Sequence, residues 1–158
     1  DPDYFCYAED TDLCIRARLL GYGAVCVDEC VALHQGQASS GGGYNDFIMF
    51  HGVRNSIWTM VKTTPPATLI RNALWVLALH GGIVVRHLRR GKLRVLLGLY
   101  HSALKGMPGI LRKRAAIQGS RRITTAEFDA LVTRGLYERD YVRNALSEVM
   151  SIRGRKRG

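Results

Sequence analysis

The first part of the chain combines helical spacing with one short strand-like run. Leu13, Ala17 and Leu20 recur at intervals of four and three, which predicts an amphipathic helix that Gly21 ends in a left-handed conformation. Residues 24–28 follow as an apolar, β-prone run. Because so short a run makes no stable sheet by itself, we expect further strands upstream of this chain.

A second helical pattern follows a glycine- and serine-rich loop at 35–43, which is either a plain linker or a lid over a ligand. We expect Asn45 or Asp46 to begin this helix, which continues to about Lys62. Its apolar face also contains Arg54. A buried arginine needs an anionic partner, so Arg54 indicates a phosphate or carboxylate ligand, a structural ion pair, or a side chain that reaches solvent.

Apolar runs and basic residues alternate farther along the chain. No Lys, Arg, Asp or Glu occurs from residue 72 to 85, but this run is shorter than the roughly 20 residues that span a bilayer. With Trp75 near its start and basic residues after it, the pattern favours helices lying at a membrane interface. An ordinary two-helix core with a solvated basic edge is the alternative.

These patterns divide the chain into three parts. Residues 1–62 form the first part, and residues 63–118 are predicted to form apolar and basic helices associated with a membrane interface. Residues 119–158 are predicted to hold a small helical segment and a basic tail. In this last part we expect helices from about 124 to 133, capped by a threonine, and from about 138 to 150.

Charge is distributed as unevenly as hydropathy. Residues 1–85 carry a net charge of −3 and residues 86–158 a net charge of +13, within a total of +10. The asymmetry favours an acidic front that binds a cation and a basic back that faces an anionic membrane surface. Nucleic acid is the rival partner, but the basic residues are not interleaved with aromatic ones in a recognisable nucleic-acid-binding fold, so we predict no nucleic acid.

Four cysteines occur within the first thirty residues: Cys6, Cys14, Cys26 and Cys30. They form no Cys-x-x-Cys pair, and their spacings match no common zinc module. We interpret them as small buried thiols and not as metal ligands or disulfides.

The acidic segment before the first predicted helix gives the most specific signal. The run FCYAEDTDLCIRAR at residues 5–18, followed by Gly21-Tyr22 and by His34, resembles the C-terminal half of a family 2 glycosyltransferase domain. The similar enzymes are the rhamnosyl- and galactofuranosyl-transferase-like ones of bacterial surface polysaccharides. Arg54-Asn55 resembles part of the helix that follows the catalytic domain. The resemblance implies an α/β fold: residues 1–62 would be the C-terminal fragment of a GT-A, Rossmann-like catalytic domain, followed by a mainly α-helical, basic extension.

The same resemblance implies roles for the acidic residues. Asp10 would be the general base that takes the proton from an acceptor hydroxyl as that hydroxyl attacks the anomeric carbon, and Glu9 would position the base or the acceptor. An inverting transfer needs such a carboxylate, as well as stabilisation of the departing diphosphate. Asp12, Arg54 and Asn55 are expected on the acceptor or diphosphate side.

His34 matches a position at which some relatives bind a divalent cation, so Mg²⁺ or Mn²⁺ is the implied cofactor. Without the resemblance, a lone histidine after a strand is more often structural. The resemblance does not include the Asp-x-Asp segment that holds the metal and nucleotide in the family. We therefore expect this chain to be a truncated part that is inactive alone.

The implied reaction is inverting transfer of a sugar from a nucleotide-diphospho-sugar donor to a lipid-linked or polysaccharide acceptor, at the cytoplasmic face of the cell membrane. The alternative is a non-catalytic module that binds a membrane surface or nucleic acid. In that module the acidic residues would only stabilise the start of a helix.

Overall fold

A computed structural model describes residues 1–27, 30–31 and 45–132. The regular elements in these ranges are a 3₁₀ turn (Pro2–Tyr4) and the helices α1 (Glu9–Leu19), α2 (Asp46–Thr63), α3 (Pro66–Arg71), α4 (Ala73–Arg89), α5 (Leu93–Gly119) and α6 (Thr125–Leu131). Of the described residues, 76% are helical and none belongs to a β-strand.

The predicted α/β fold, a GT-A fragment with a helical extension, is therefore wrong for the part of the chain that the structure describes. That part is a small all-α fold. The run predicted as a strand has no regular structure from residue 24 to 27, and Val25 is exposed. A β-prone run becomes a strand only beside another strand that completes its backbone hydrogen bonds. The described residues provide no such partner.

Four predicted features lie outside the described residues: His34, the loop at 35–43, the helix at 138–150 and the basic tail after it. These expectations stay predictions, as does the division of the chain after residues 62 and 118.

The end of α1 follows the prediction from the sequence. Gly21 has a φ of +87°, its N–H donates to the carbonyl of Arg18 (2.9 Å), and the N–H of Tyr22 donates to the carbonyl of Ala17 (3.0 Å). This pair of bonds closes the last helical turn and requires a left-handed residue, which glycine supplies without a steric cost. The predicted stop at Gly21 is confirmed.

The buried side of α1 differs from the predicted one. Leu13, which begins the apolar line through Ala17 and Leu20, is exposed. The residues that α1 buries are Asp12 and Leu19. A carboxylate can be buried when basic and hydroxyl partners surround it, and Asp12 has such partners in Lys62 of α2 and in Tyr4. Apolar spacing therefore did not identify the face through which α1 packs.

Both ends of α2 are hydrogen-bonded. At the start, the side chain of Asn45 accepts from the N–H of Ile48 (3.0 Å), which confirms one of the two predicted caps. At the end, the carbonyls of residues 60–63 all accept hydrogen bonds. The carbonyl of residue 60 accepts from the Thr64 N–H (3.1 Å), and that of residue 61 accepts from the Arg114 side chain. The carbonyls of residues 62 and 63 accept from Gln118 Nε2 (3.2 and 2.9 Å). Since Arg114 and Gln118 belong to α5, these bonds fix α5 against the C-terminal end of α2.

Helices α2 and α5 form the centre of the described fold. Phe50 of α2 lies beside Gly98 of α5, Trp58 lies beside Gly106, and the end of α2 lies beside Gln118. Because the contact positions advance together along both helices, the helices run parallel. Six of the buried apolar side chains form two clusters: Met49, Leu96 and Leu99, and Tyr4, Trp58 and Ile110.

The two helices approach each other closely at Gly106. A Cβ atom placed there would lie 2.4 Å from Trp58 Cζ2, which is inside van der Waals contact. The indole N–H of Trp58 donates to the carbonyl of Ala103, which is on α5 like Gly106 (3.0 Å). Glycine is therefore required for the indole to lie flat against α5.

The remaining helices pack against this pair. α4 contacts α5 through His80, whose Nδ1 lies 3.0 Å from Tyr100 Oη. α6 begins with a capping box between Thr124 and Glu127, which confirms the predicted threonine cap, and its Asp129 binds Thr68 of α3 (2.7 Å). Within the described ranges, no helix combines the length and apolar character that crossing a bilayer requires.

Candidate active site

Glu9 and Asp10 lie in the first turn of α1, and both are exposed. Asp10 Oδ1 accepts a hydrogen bond from the N–H of Thr11 (2.6 Å). The structure gives Asp10 Oδ2 no hydrogen-bond partner among the described residues, and neither carboxylate forms an ion pair there. The unpaired N–H groups at this helix end favour negative charge, so the position suits two exposed carboxylates.

The turn that leads into α1 has a strained backbone. Phe5, Tyr7 and Ala8 have φ values of 62°, 66° and 67°, a region that residues with a Cβ rarely adopt. Around Phe5 the N–H of Cys6 donates to the carbonyl of Tyr4 (2.7 Å), which closes a γ-turn of the strained kind. Such residues cost on the order of 1–3 kcal/mol each and persist only where neighbouring contacts hold them.

Asn55 of α2 provides those contacts. Its Nδ2 atom lies 3.0, 2.7 and 2.9 Å from the carbonyl oxygens of Tyr4, Cys6 and Tyr7. Asn55 is fully buried, and its two N–H bonds are shared among these three acceptors. One side chain therefore holds the strained turn from its beginning to the residue before the α1 N-cap.

Arg54 supports the same turn from the same side of α2. Its Nη2 lies 3.3 Å from the carbonyl oxygen of Tyr4, and its Nε donates to Asn55 Oδ1 (2.9 Å), which orients the amide. The guanidinium carbon lies 4.4 Å from the centroid of the Trp58 ring. Burial lowers the pKa of Arg54, and burial together with Arg54 lowers the pKa of the neighbouring His51.

These contacts resolve the open question about the arginine in the apolar face of α2. Arg54 is buried, so it does not extend to solvent. Its hydrogen-bond partners in the described structure are carbonyl oxygens, Asn55 and His51. Carbonyl oxygens at the turn thus take the place of the predicted phosphate or carboxylate.

Asp12 also lies in the first turn of α1, two residues after Asp10, and is fully buried. Its Oδ1 lies 3.0 Å from Lys62 Nζ and accepts from the hydroxyl of Tyr4 (3.3 Å), while its Oδ2 accepts from Arg16 Nε (2.9 Å). Lys62 is also buried and forms a second ion pair with Asp1. Every oxygen of Asp12 is bound by the protein itself, so this residue fastens α1 to α2.

The residues that sequence reasoning missed are the partners Tyr4 and Lys62. A signal was present in α2, where polar residues recur at intervals of four, four and three and so share one face: His51, Asn55, Thr59 and Lys62. That polar line faces the turn and α1, and Thr59 Oγ1 lies 2.8 Å from the hydroxyl of Tyr4. Burial raises the pKa of Tyr4, so its hydroxyl is protonated and can donate at neutral pH.

The four cysteines are free thiols, of which Cys14, Cys26 and Cys30 are exposed. The interpretation as buried thiols is wrong for these three. Cys6 is half-buried within the strained turn. Burial raises the pKa of its thiol, and the charge of Glu9 adds a smaller effect in the same direction.

The structure thus brings together most of the site predicted from sequence. Glu9 and Asp10 are exposed, Arg54 and Asn55 lie behind the turn that carries them, and Asp12 is buried beneath. Across the described ranges, no three side chains among His, Cys, Asp and Glu are arranged to hold a metal ion.

Comparison with protein-family models, with curated proteins and with solved structures gives no match for the chain. The resemblance to family 2 glycosyltransferases therefore rests on the quoted residues.

Proposed function

We propose that Glu9 and Asp10 form the acid–base edge of a glycosyl-transfer site. The observation that carries the proposal is the pair of exposed carboxylates at the end of a strained turn, which Arg54 and Asn55 hold by its carbonyl oxygens. The proposal concerns this site and does not include a GT-A fold for the described residues.

The turn is more elaborate than a helix start requires. A serine, threonine or aspartate at the N-cap satisfies the first N–H groups without strain, as Thr124 does for α6. Ala8 occupies the N-cap of α1 instead, with a left-handed backbone and no side-chain cap. Backbone strain held by buried partners is typical of positions that fix a functional group, which favours a chemical role for the two carboxylates over a capping role.

In the proposed reaction Asp10 Oδ2 takes the proton from an acceptor hydroxyl. The hydroxyl oxygen forms a bond to the anomeric carbon of the sugar, and the bond from that carbon to the diphosphate breaks, so that the nucleotide diphosphate leaves with the electron pair. Glu9 orients the acceptor. Asp12, Arg54 and Asn55 act as positioning residues, because their polar atoms bind the protein and hold α1 and its turn in place.

The donor and acceptor classes come from the sequence resemblance: a nucleotide-diphospho-sugar and a lipid-linked or polysaccharide acceptor. The described residues do not assemble a metal site by themselves. Binding of Mg²⁺ or Mn²⁺ by His34 stays a prediction, and the proposed proton transfer is not routed through a cation.

The test is Asp10→Asn, introduced at the chromosomal locus so that the protein is otherwise intact. The amide keeps the shape of the side chain but cannot take a proton. We expect transfer from a panel of radiolabelled nucleotide-diphospho-sugars in cell extracts to fall by about 100-fold or more. Immunoblotting checks that the abundance of the protein is unchanged.

Asp46→Asn is the matched control, because Asp46 is also an exposed aspartate in the first turn of a helix. We expect it to retain transfer. Unchanged transfer in Asp10→Asn at equal abundance would contradict the proposal and favour the capping role.

A further inference from the structure

Helix α4 presents a large apolar surface that the described fold leaves uncovered. The exposed fractions of Leu74, Trp75 and Leu77 are 81%, 61% and 68%, and Val85 and Leu88 are also exposed. Leu74, Leu77, Val85 and Leu88 share one face at helical spacing. His87 is the residue that α4 buries. An exposed apolar face of this size is expected to bind another apolar surface.

Helix α5 presents a second line of the same kind. Leu93, Leu97, Leu104 and Leu111 are separated by four, seven and seven residues, which places them on one face, and all four are exposed. A different side of α5 packs on α2 through Leu96, Leu99 and Ile110. The four exposed leucines are therefore not part of the packing between α5 and α2.

Positive charge accompanies both apolar lines. Residues 47–126 contain fourteen Lys or Arg and no Asp or Glu, so α3, α4 and α5 carry no acidic side chain. Arg89 and Arg94 are exposed beside the ends of the two lines, at the turn that joins α4 to α5. Lys105 and Arg112 are exposed next to Leu104 and Leu111.

We propose that this face, made of the exposed leucines of α4 and α5 with Trp75 and the flanking basic residues, docks on an anionic lipid bilayer. An apolar helix face bordered by basic side chains is the pattern of a helix lying in the membrane interface, where it buries its apolar side to a depth of roughly 5–10 Å. Trp75, near the start of α4, has the amphipathic ring that prefers this depth.

Charge decides against the other occupants. A second copy of the chain would bring the same basic residues to the same face, and like charges there repel. Nucleic acid would neutralise the basic residues but would leave the leucines in water. An anionic bilayer supplies phosphate groups for the arginines and acyl chains for the leucines.

Vesicle co-sedimentation tests the proposal with the chain itself. We expect it to bind phosphatidylcholine vesicles that contain phosphatidylglycerol at least about ten-fold more tightly than vesicles without it, and to bind less tightly as salt is added. Tryptophan emission should shift to shorter wavelength on binding. Since Trp58 is buried in the core and Trp75 is exposed, the shift reports Trp75, and Trp75→Phe should abolish most of it.

Two sets of substitutions separate the apolar and electrostatic parts. Leu74→Glu combined with Leu77→Glu is expected to weaken vesicle binding at least ten-fold, because both side chains would carry charge into the interface. Arg89→Gln combined with Arg94→Gln is expected to weaken binding to anionic vesicles by about thirty-fold. All four positions are exposed, so circular dichroism should show unchanged helix content.

Val25→Glu combined with Val27→Glu is the matched control: it places the same two charges at exposed apolar residues outside α4 and α5, and it should leave binding unchanged. Absence of vesicle binding overturns the proposal, and so does equal binding by the Leu74→Glu, Leu77→Glu variant. A dimer that this variant dissociates, without vesicle binding by the wild type, would assign the face to self-association. None of these readouts needs a sugar donor, so the proposal stands or falls independently of the transferase.

Discussion

The side-chain nitrogen of Asn55 lies 2.7 Å from the carbonyl oxygen of Cys6, in the middle of the strained turn before α1. This contact joins the second helix of the chain to the backbone that carries Glu9 and Asp10. Through it, the direction of two exposed carboxylates depends on a buried amide. The arrangement makes specific predictions about stability and about transfer.

Asn55→Asp replaces the donor with an acceptor of nearly the same shape. A carboxylate would then face three carbonyl oxygens without a hydrogen to give them, so we expect the free energy of unfolding to fall by about 2–4 kcal/mol. Urea unfolding followed by circular dichroism measures this. Ser56→Ala, at the adjacent exposed position of α2, should change stability by less than about 0.5 kcal/mol. An equally small change in Asn55→Asp would show that the amide does not hold the turn.

Ala8→Gly tests the strain directly. Glycine adopts the left-handed backbone of residue 8 without a steric penalty, so we expect this variant to be more stable by about 1 kcal/mol. Ala17→Gly, in the interior of α1, should have the opposite effect and lose about 0.5–1 kcal/mol. If both glycines destabilise to the same extent, the backbone at residue 8 is not strained.

Asp12→Asn leaves the buried ammonium of Lys62 with one carboxylate partner fewer. Removing one member of a buried ion pair is costly, and we expect a loss of about 3 kcal/mol in the free energy of unfolding. Asp46→Asn removes a partner from the exposed pair with Lys92 (2.8 Å) and should cost less than about 1 kcal/mol. A loss of similar size in both variants would contradict the anchoring role of Asp12.

Stability should also depend on pH through His80. Burial lowers the pKa of His80 below its ordinary value of 6.5, so the unfolded chain binds the proton more tightly than the folded one. Protonation therefore favours unfolding, and stability should be lost as the pH falls from about 6.5 towards the lowered pKa.

Thermal unfolding between pH 5 and pH 8 measures this dependence, and His80→Phe should make it less steep. Tyr100→Phe removes the hydrogen bond to His80 but keeps the titrating ring, so it should retain most of the dependence. An identical pH dependence in the wild type and His80→Phe would exclude His80 as a contributor.

The sequence predicted the ends of helices correctly, because these ends depend on residues that are neighbours in the chain. Asn45, Thr124 and Gly21 begin or end helices as their side-chain and backbone chemistry predicts. The strand at 24–28 was wrong over its described residues because a strand depends on a partner elsewhere. The sequence analysis gave no bounds for α5, which extends over 27 residues and continues through Pro108.

The candidate site shows the same division. The exposed acids at the start of α1 could be read from their position before a helical pattern. The partners of Arg54 could not, because they are carbonyl oxygens in a turn whose left-handed residues are not glycine. Likewise, the run of polar residues on α2 gains its meaning only when Tyr4 and Asp12 are seen to face it.

The measurement that tests the central claim most directly is the rate of sugar transfer by Asp10→Asn relative to the wild type and Asp46→Asn, at equal protein abundance. If Asp10 takes the acceptor proton, transfer falls by about 100-fold or more in Asp10→Asn alone. If the three rates are equal, Asp10 does not take part in the reaction, and the two carboxylates serve only to stabilise the start of α1.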